Sequence, residues 1–142
     1  MSKRNRPHRD TIEDLESQGK PLDAIFLAWG IIELNASSAL FRIILDATGK
    51  RPDWESIANH TRIATKLRRL KAMGYLSQSE FDDIWAFKRK RDKLAHTDGV
   101  FSPNYQEEKW TELVDMAVKA ADAAHAMLDR AMSGKGVTGI QS

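Results

Sequence analysis

Arg91 and His96 are the side chains in this sequence best suited to chemistry on an oxyanion. They lie five positions apart in the run Arg91-Asp92-Lys93-Leu94-Ala95-His96. A guanidinium stays protonated and presents a planar fork of donors that matches a phosphate or carboxylate. An imidazole changes charge near neutral pH and can therefore move a proton or hold an anion. Asp92, between them, can neutralise a neighbouring cation. Lys88, Arg89, Lys90 and Lys93 surround the pair with positive charge. Residues 62–93 together carry ten basic and four acidic side chains, a local excess of six on a chain whose net charge is only +2. Such a segment can attract a phosphate backbone, or it can be a solvated helix face.

The scaffold under these residues is predicted to be a helix from Gln78 to about His96, opened by a Ser77–Glu80 capping box and broken after His96 by Asp98-Gly99. At about 100° per residue, Phe81, Ile84, Phe87, Leu94 and Ala95 form one apolar arc, and Arg91 falls inside it. A guanidinium among apolar neighbours is costly without an acceptor. Arg91 must therefore meet a phosphate, a partner subunit or a carboxylate, and Glu33 is the candidate carboxylate. His96 lies about 140° around the axis from Arg91 and roughly 7.5 Å along it, so one helix does not aim both at one atom. Either a second copy completes a site, or the two residues do separate jobs, with His96 capping helix-terminal carbonyls. Arg89 lies nearer His96 on the helix and is an alternative phosphate contact.

The remaining elements also read as helical. Residues 1–21 are expected to be a basic arm, with Thr11 and Asp14 capping at most a brief turn. Residues 22–132 form the domain, and residues 133–142 a flexible tail. Leu22 to Thr48 is apolar over so wide an arc that it must be central or shared with a second subunit, and Gly49 ends it. Asp23, Glu33 and Arg42 make it a poor membrane span. Asp53 caps a helix from Trp54 to Met73, with Ile57, Ile63, Leu67 and Leu70 inward. The last helix starts near Ser102-Pro103 or Asn104 and carries a 3.6-residue stripe of Trp110, Leu113, Val114, Ala117, Ala121, Ala124, Leu128 and Ala131. Four main helices with short connections predict an all-α fold, an antiparallel four-to-five-helix bundle.

Several chemistries lack their residues. The chain has no cysteine, which removes disulfides, thiol nucleophiles and cysteine-based zinc sites and fits a cytoplasmic location. No metal-ligand spacing and no glycine-rich nucleotide loop is present, so neither metal nor cofactor is expected. His8, His60 and His125 are isolated and read as structural. Trp29, Trp54, Trp85 and Trp110 fall on apolar stripes and read as core or interface.

The run Leu67-Arg68-Arg69-Leu70-Lys71-Ala72-Met73-Gly74-Tyr75-Leu76-Ser77, leading through Phe81, Ile84 and Phe87 to Arg91-Asp92 and His96, resembles the core of the HEPN superfamily. That family's signature is an arginine, a polar residue, a few variable positions and a histidine; Asp92 stands where asparagine is commoner. The likeness is detailed over residues 67–98 and extends in helix order over 22–132. It implies a helical bundle that pairs into a homodimer, bringing two copies of the motif into one cleft. It further implies a metal-independent endoribonuclease, of toxin or defence type, with RNA as substrate and an antitoxin protein as possible partner. In that site Arg91, Asp92 and His96 act on the scissile phosphate, and Lys88, Arg89, Lys90 and Lys93 hold RNA. The alternative is a HEPN-like bundle without catalysis that binds RNA or protein. Asp98 occupies the position of a tyrosine found in toxins paired with a minimal nucleotidyltransferase, which sets this chain apart from that subtype.

Overall fold

The computed structural model describes residues 7–96 and 107–136. Six helices form among these residues, with no strand: α1 (Pro7–Ser17), α2 (Pro21–Thr48), α3 (Trp54–His60), α4 (Ile63–Ala72), α5 (Gln78–His96) and α6 (Glu107–Ser133). The fold is all-α as expected, with two more helices than the four read as main elements.

The centre of the bundle is the pair α2 and α6, with α5 packed on α6 and α1 laid across both members of the pair. Arg42 near the end of α2 approaches Met132 at the end of α6, and Arg130 reaches back to Glu80 in the first turn of α5. Thus α2 and α6 bring like ends together, while α5 presents its opposite end. Ile25, Ile32, Ile84, Phe87, Val114 and Met127 are among the side chains sealed between these helices. Burying one such side chain contributes roughly 1.5–3 kcal/mol.

Local sequence explains most helix ends. Pro21 occupies the first turn of α2, where no amide bond is lost, and Gly49 closes it with φ 71°, its N–H donating to the carbonyl of Leu45. The α5 capping box forms reciprocally: the Ser77 N–H donates to Glu80 Oε1 at 2.9 Å, and the Glu80 N–H to Ser77 Oγ at 3.1 Å. Arg130 completes it with two bonds to the Glu80 carboxylate, at 2.6 and 2.9 Å. Burial alone would raise the Glu80 pKa, but Arg130 and Ser77 together hold it below the ordinary value.

By length and composition α2 could cross a membrane, yet most of its apolar stretch is buried against neighbouring helices. It lies at the centre of the bundle, one of the two placements that its wide apolar arc allows. One stripe stays uncovered: Phe26 is 47% and Leu34 57% exposed, and Gly30 between them is also exposed.

Two sequence readings change. Residues 7–17 are a docked helix rather than arm: Ile12 is fully buried, and Arg9 holds Asp122 of α6 at 3.1 Å. One buried isoleucine is too sparse a pattern to signal an amphipathic helix. The single helix expected from Trp54 to Met73 is two, parted by extended backbone at Thr61 and Arg62. Asn59, His60 and Thr61 are weak helix formers, and Thr61 Oγ1 donates to the Ser56 carbonyl instead. Asp53 does cap α3, accepting from the Glu55 N–H, and Ile57, Leu67 and Leu70 face inward as expected. The expected tail starts in the last residue of α6 and is described only to residue 136.

Candidate nucleic-acid interface

The basic segment folds into a strip where cations alternate with aromatic rings. On α5, Phe81 and Trp85 stand one turn apart and stack, with centroids 5.2 Å apart and planes 17° from parallel. Lys71 of α4 lies 5.2 Å from the Phe81 centroid, and Arg68 of α4 lies 5.0 Å from that of Trp85. Lys88, the next turn of α5, stands 5.4 Å from the Trp85 ring. The spacing explains the arrangement: positions three and four apart share a helix face, so 68 and 71 on α4 meet 81, 85 and 88 on α5. Each such contact at a partly exposed site contributes about 0.5–1 kcal/mol.

At the far end of the strip, Lys88 Nζ lies 2.7 Å from Asp92 Oδ2, and Arg91 Nη1 lies 3.1 Å from Asp92 Oδ1. Burial alone would raise the Asp92 carboxyl, but hydrogen bonds from Lys88 and Arg91 hold it below the ordinary aspartate value. The Arg91 guanidinium lies over Trp29 of α2, 5.0 Å from the ring centroid. Trp29 packs in turn against Phe87, 6.2 Å between centroids. The Arg91 side chain is 29% exposed, yet its Nε is fully buried and has no hydrogen-bond partner.

These positions resolve the open question about Arg91. Its carboxylate is Asp92, one residue along, and not Glu33, whose charge acts instead on Lys66. The aromatic face of Trp29 lets the guanidinium sit over apolar surface. Of the other residues read as RNA contacts, Lys88 belongs to the strip, while Arg89, Lys90 and Lys93 are exposed. His96 is the last residue of α5, and its side chain lies outside the described residues.

Sequence reasoning missed Arg68, Lys71, Phe81 and Trp85 as members of one surface. Their i, i+3 and i, i+4 spacing was a usable signal, but only the docking of α4 on α5 makes two helices one strip. Of the tryptophans read as core or interface, Trp29 is buried, Trp85 and Trp110 are half-buried, and Trp54 is 40% exposed. His60 is exposed at the end of α3, and His125 Nε2 lies 3.5 Å from Asp129 on the same helix. Among the described residues no three histidine, aspartate or glutamate side chains gather as metal ligands.

Lys66 of α4 is a further departure. It is 1% exposed, with Nζ donating to Ser37 Oγ at 2.7 Å and to the Ala58 carbonyl at 3.2 Å. Burial pushes its pKa below the ordinary lysine value, and the nearby charge of Glu33 opposes this in part. The broken α3–α4 junction is what brings the Ala58 carbonyl to this ammonium.

Fold and surface together define an all-helical bundle with a cation–aromatic strip running across α4 and α5 to α2. Compared with protein-family models, curated proteins and solved structures, the chain matches none of them.

Proposed function

We propose that this protein is a HEPN-type, metal-independent endoribonuclease whose site is completed by a second copy of the chain. The observation that carries the reading is the state of Arg91. Its guanidinium is held in place by Trp29 and Asp92, with a buried Nε that has no acceptor, at the end of the cation–aromatic strip. A row of cations seated on aromatic rings suits single-stranded RNA, because the rings hold the cations in register for the phosphates of the backbone. The 2′-oxygen attacks the adjacent phosphorus as the bond to the 5′-oxygen breaks, leaving a 2′,3′-cyclic phosphate and a 5′-hydroxyl. His96 moves the proton or orients the 2′-hydroxyl, and Arg91 stabilises the charge that builds on phosphorus.

The exposed stripe of α2 supports pairing. Phe26, Gly30 and Leu34 recur every fourth residue, next to the turn that carries Trp29. In an antiparallel two-fold crossing centred on Gly30, Phe26 of one copy meets Leu34 of the partner subunit, a self-complementary contact. On this reading the protein acts in the cytoplasm, and a toxin role would require an antitoxin protein.

The test is cleavage of labelled single-stranded RNA by the purified chain in EDTA, followed by analysis of the product ends. Cyclic phosphate ends that disappear in both His96→Ala and Arg91→Lys support the assignment. If His96→Ala cleaves like wild type, the nuclease assignment fails. One observation favours a second reading, a bundle that binds RNA without cutting it: Asp92 already engages both Lys88 and Arg91 within one chain. Salt-dependent RNA binding with no cleavage would select it.

A further inference from the structure

A cleft of about 400 Å³ opens at the other end of α2 from Trp29, lined by Ser38, Phe41, Arg42, Arg51, Trp54 and Met132 among others. Twelve residues of helix, about 18 Å, separate Phe41 from Trp29, so the cleft is distinct from the strip. Its volume falls in the range of small-ligand sites. Phe41 and Trp54 meet edge to face at 5.9 Å and form an aromatic wall, and much of the Trp54 indole remains open to solvent.

The charged groups of the cleft are unequally occupied. Arg42 commits its Nε to Asp46, at 3.1 and 3.0 Å, and its Nη1 approaches Met132 Sδ at 4.0 Å. Arg51 lies 5.9 Å from the Phe41 centroid and has no carboxylate partner among the described residues. The one carboxylate beside Arg42 is already bonded to it. Two guanidiniums, an aromatic wall and the Ser38 hydroxyl therefore form a site with surplus positive charge and no unpaired carboxylate on its lining. That combination selects a planar ring carrying an anion, with the Arg51 fork, the guanidinium left without a carboxylate, to match a phosphate.

We propose that this cleft binds one nucleotide, with the base against Phe41 and Trp54 and the phosphate on Arg51. The nucleotide can be free or an unpaired unit of an RNA strand, since both present the same ring and phosphate. The site uses none of the residues assigned to cleavage and stands whether or not the ribonuclease reading holds.

The test follows the tryptophan indole N–H resonances of the full ¹⁵N-labelled chain, with Trp54→Phe identifying the Trp54 signal. Titrated AMP should move that signal saturably, and Arg51→Gln should weaken the response about tenfold, the loss of one charged hydrogen bond. Arg51→Gln should keep the wild-type unfolding temperature, since Arg51 is exposed in a connecting loop. Adenosine and inorganic phosphate, each carrying half of the recognised chemistry, should bind more weakly than AMP, as should benzoate. A tetranucleotide that saturates the signal at lower concentration than AMP marks the RNA strand as source; the reverse order marks the free nucleotide. The proposal is overturned if AMP leaves the Trp54 signal unmoved, if Arg51→Gln titrates like wild type, or if phosphate or benzoate saturates it as readily as AMP.

Discussion

Arg91 of α5 lays its guanidinium on the ring of Trp29 of α2, 5.0 Å from the centroid, while its buried Nε has no acceptor. One planar cation is thus fixed by a ring on a neighbouring helix and by Asp92 beside it, with donor capacity left over. Arg91→Lys keeps the charge but loses the planar fork and the stacking. It should change unfolding free energy by less than about 1 kcal/mol while abolishing RNA cleavage. Chemical denaturation beside a cleavage assay checks this. Equal loss of stability and activity would mean that Arg91 serves the fold.

The strip should show itself in salt dependence. Replacing Arg68, Lys71 and Lys88 with alanine one at a time should each lower the slope of log affinity against log salt for single-stranded RNA by about 0.7. Fluorescence anisotropy of a labelled oligonucleotide at several salt concentrations measures it. Trp85→Ala should instead weaken binding at every salt concentration while leaving the slope unchanged, because it removes no charge but frees Arg68 and Lys88 from the ring that orders them.

The uncovered stripe of α2 gives an expectation about assembly. Leu34→Arg places a charge on an exposed position and should leave the unfolding temperature of the single chain near wild type. It should also convert dimers to monomers in sedimentation velocity, with loss of cleavage. Wild-type protein that stays monomeric at micromolar concentration would remove the composite site.

Lys66 and Glu80 should mark opposite ends of the pH–stability curve. The folded pKa of Lys66 is lowered, so its charged form weakens the fold, and stability is regained as pH rises from that lowered value toward the ordinary 10.5. The stability difference between Lys66→Met and wild type should therefore shift toward wild type as pH climbs from neutral into the alkaline range. Parallel thermal melts in the two ranges read the shift directly.

Glu80 has a lowered pKa, so its contribution is present above the ordinary value of 4.5 and is lost as pH falls through its folded value. Glu80→Gln should cost about 1–3 kcal/mol at neutral pH and flatten the acid limb of the curve. An acid limb as steep as wild type in that variant would show that other carboxylates govern acid unfolding.

Much of what depended on neighbours within a turn or two was legible in the sequence, although the Arg91–Asp92 pair and the weak helix formers at the Thr61 break are just as local and were not read. The span of α2, its glycine stop, the capping box of α5 and the stripe of α6 follow from proline and glycine backbone preferences, short-range hydrogen bonds and apolar periodicity. The unusual place of Arg91 followed from the same periodicity. Tertiary structure alone decided what depended on residues far apart in the chain. Ile12 makes α1 part of the bundle only because α2 and α6 offer it a buried groove. The break at Thr61 and Arg62 lets Lys66 reach the Ala58 carbonyl and Ser37, a hydrogen bond spanning 29 positions. Asp92 rather than Glu33 holds Arg91, because α2 turns Trp29 and not a carboxylate toward α5. The strip and the cleft exist only where helices meet. Periodicity tells which face of one helix is apolar, but not which side chain of another helix will lie against it.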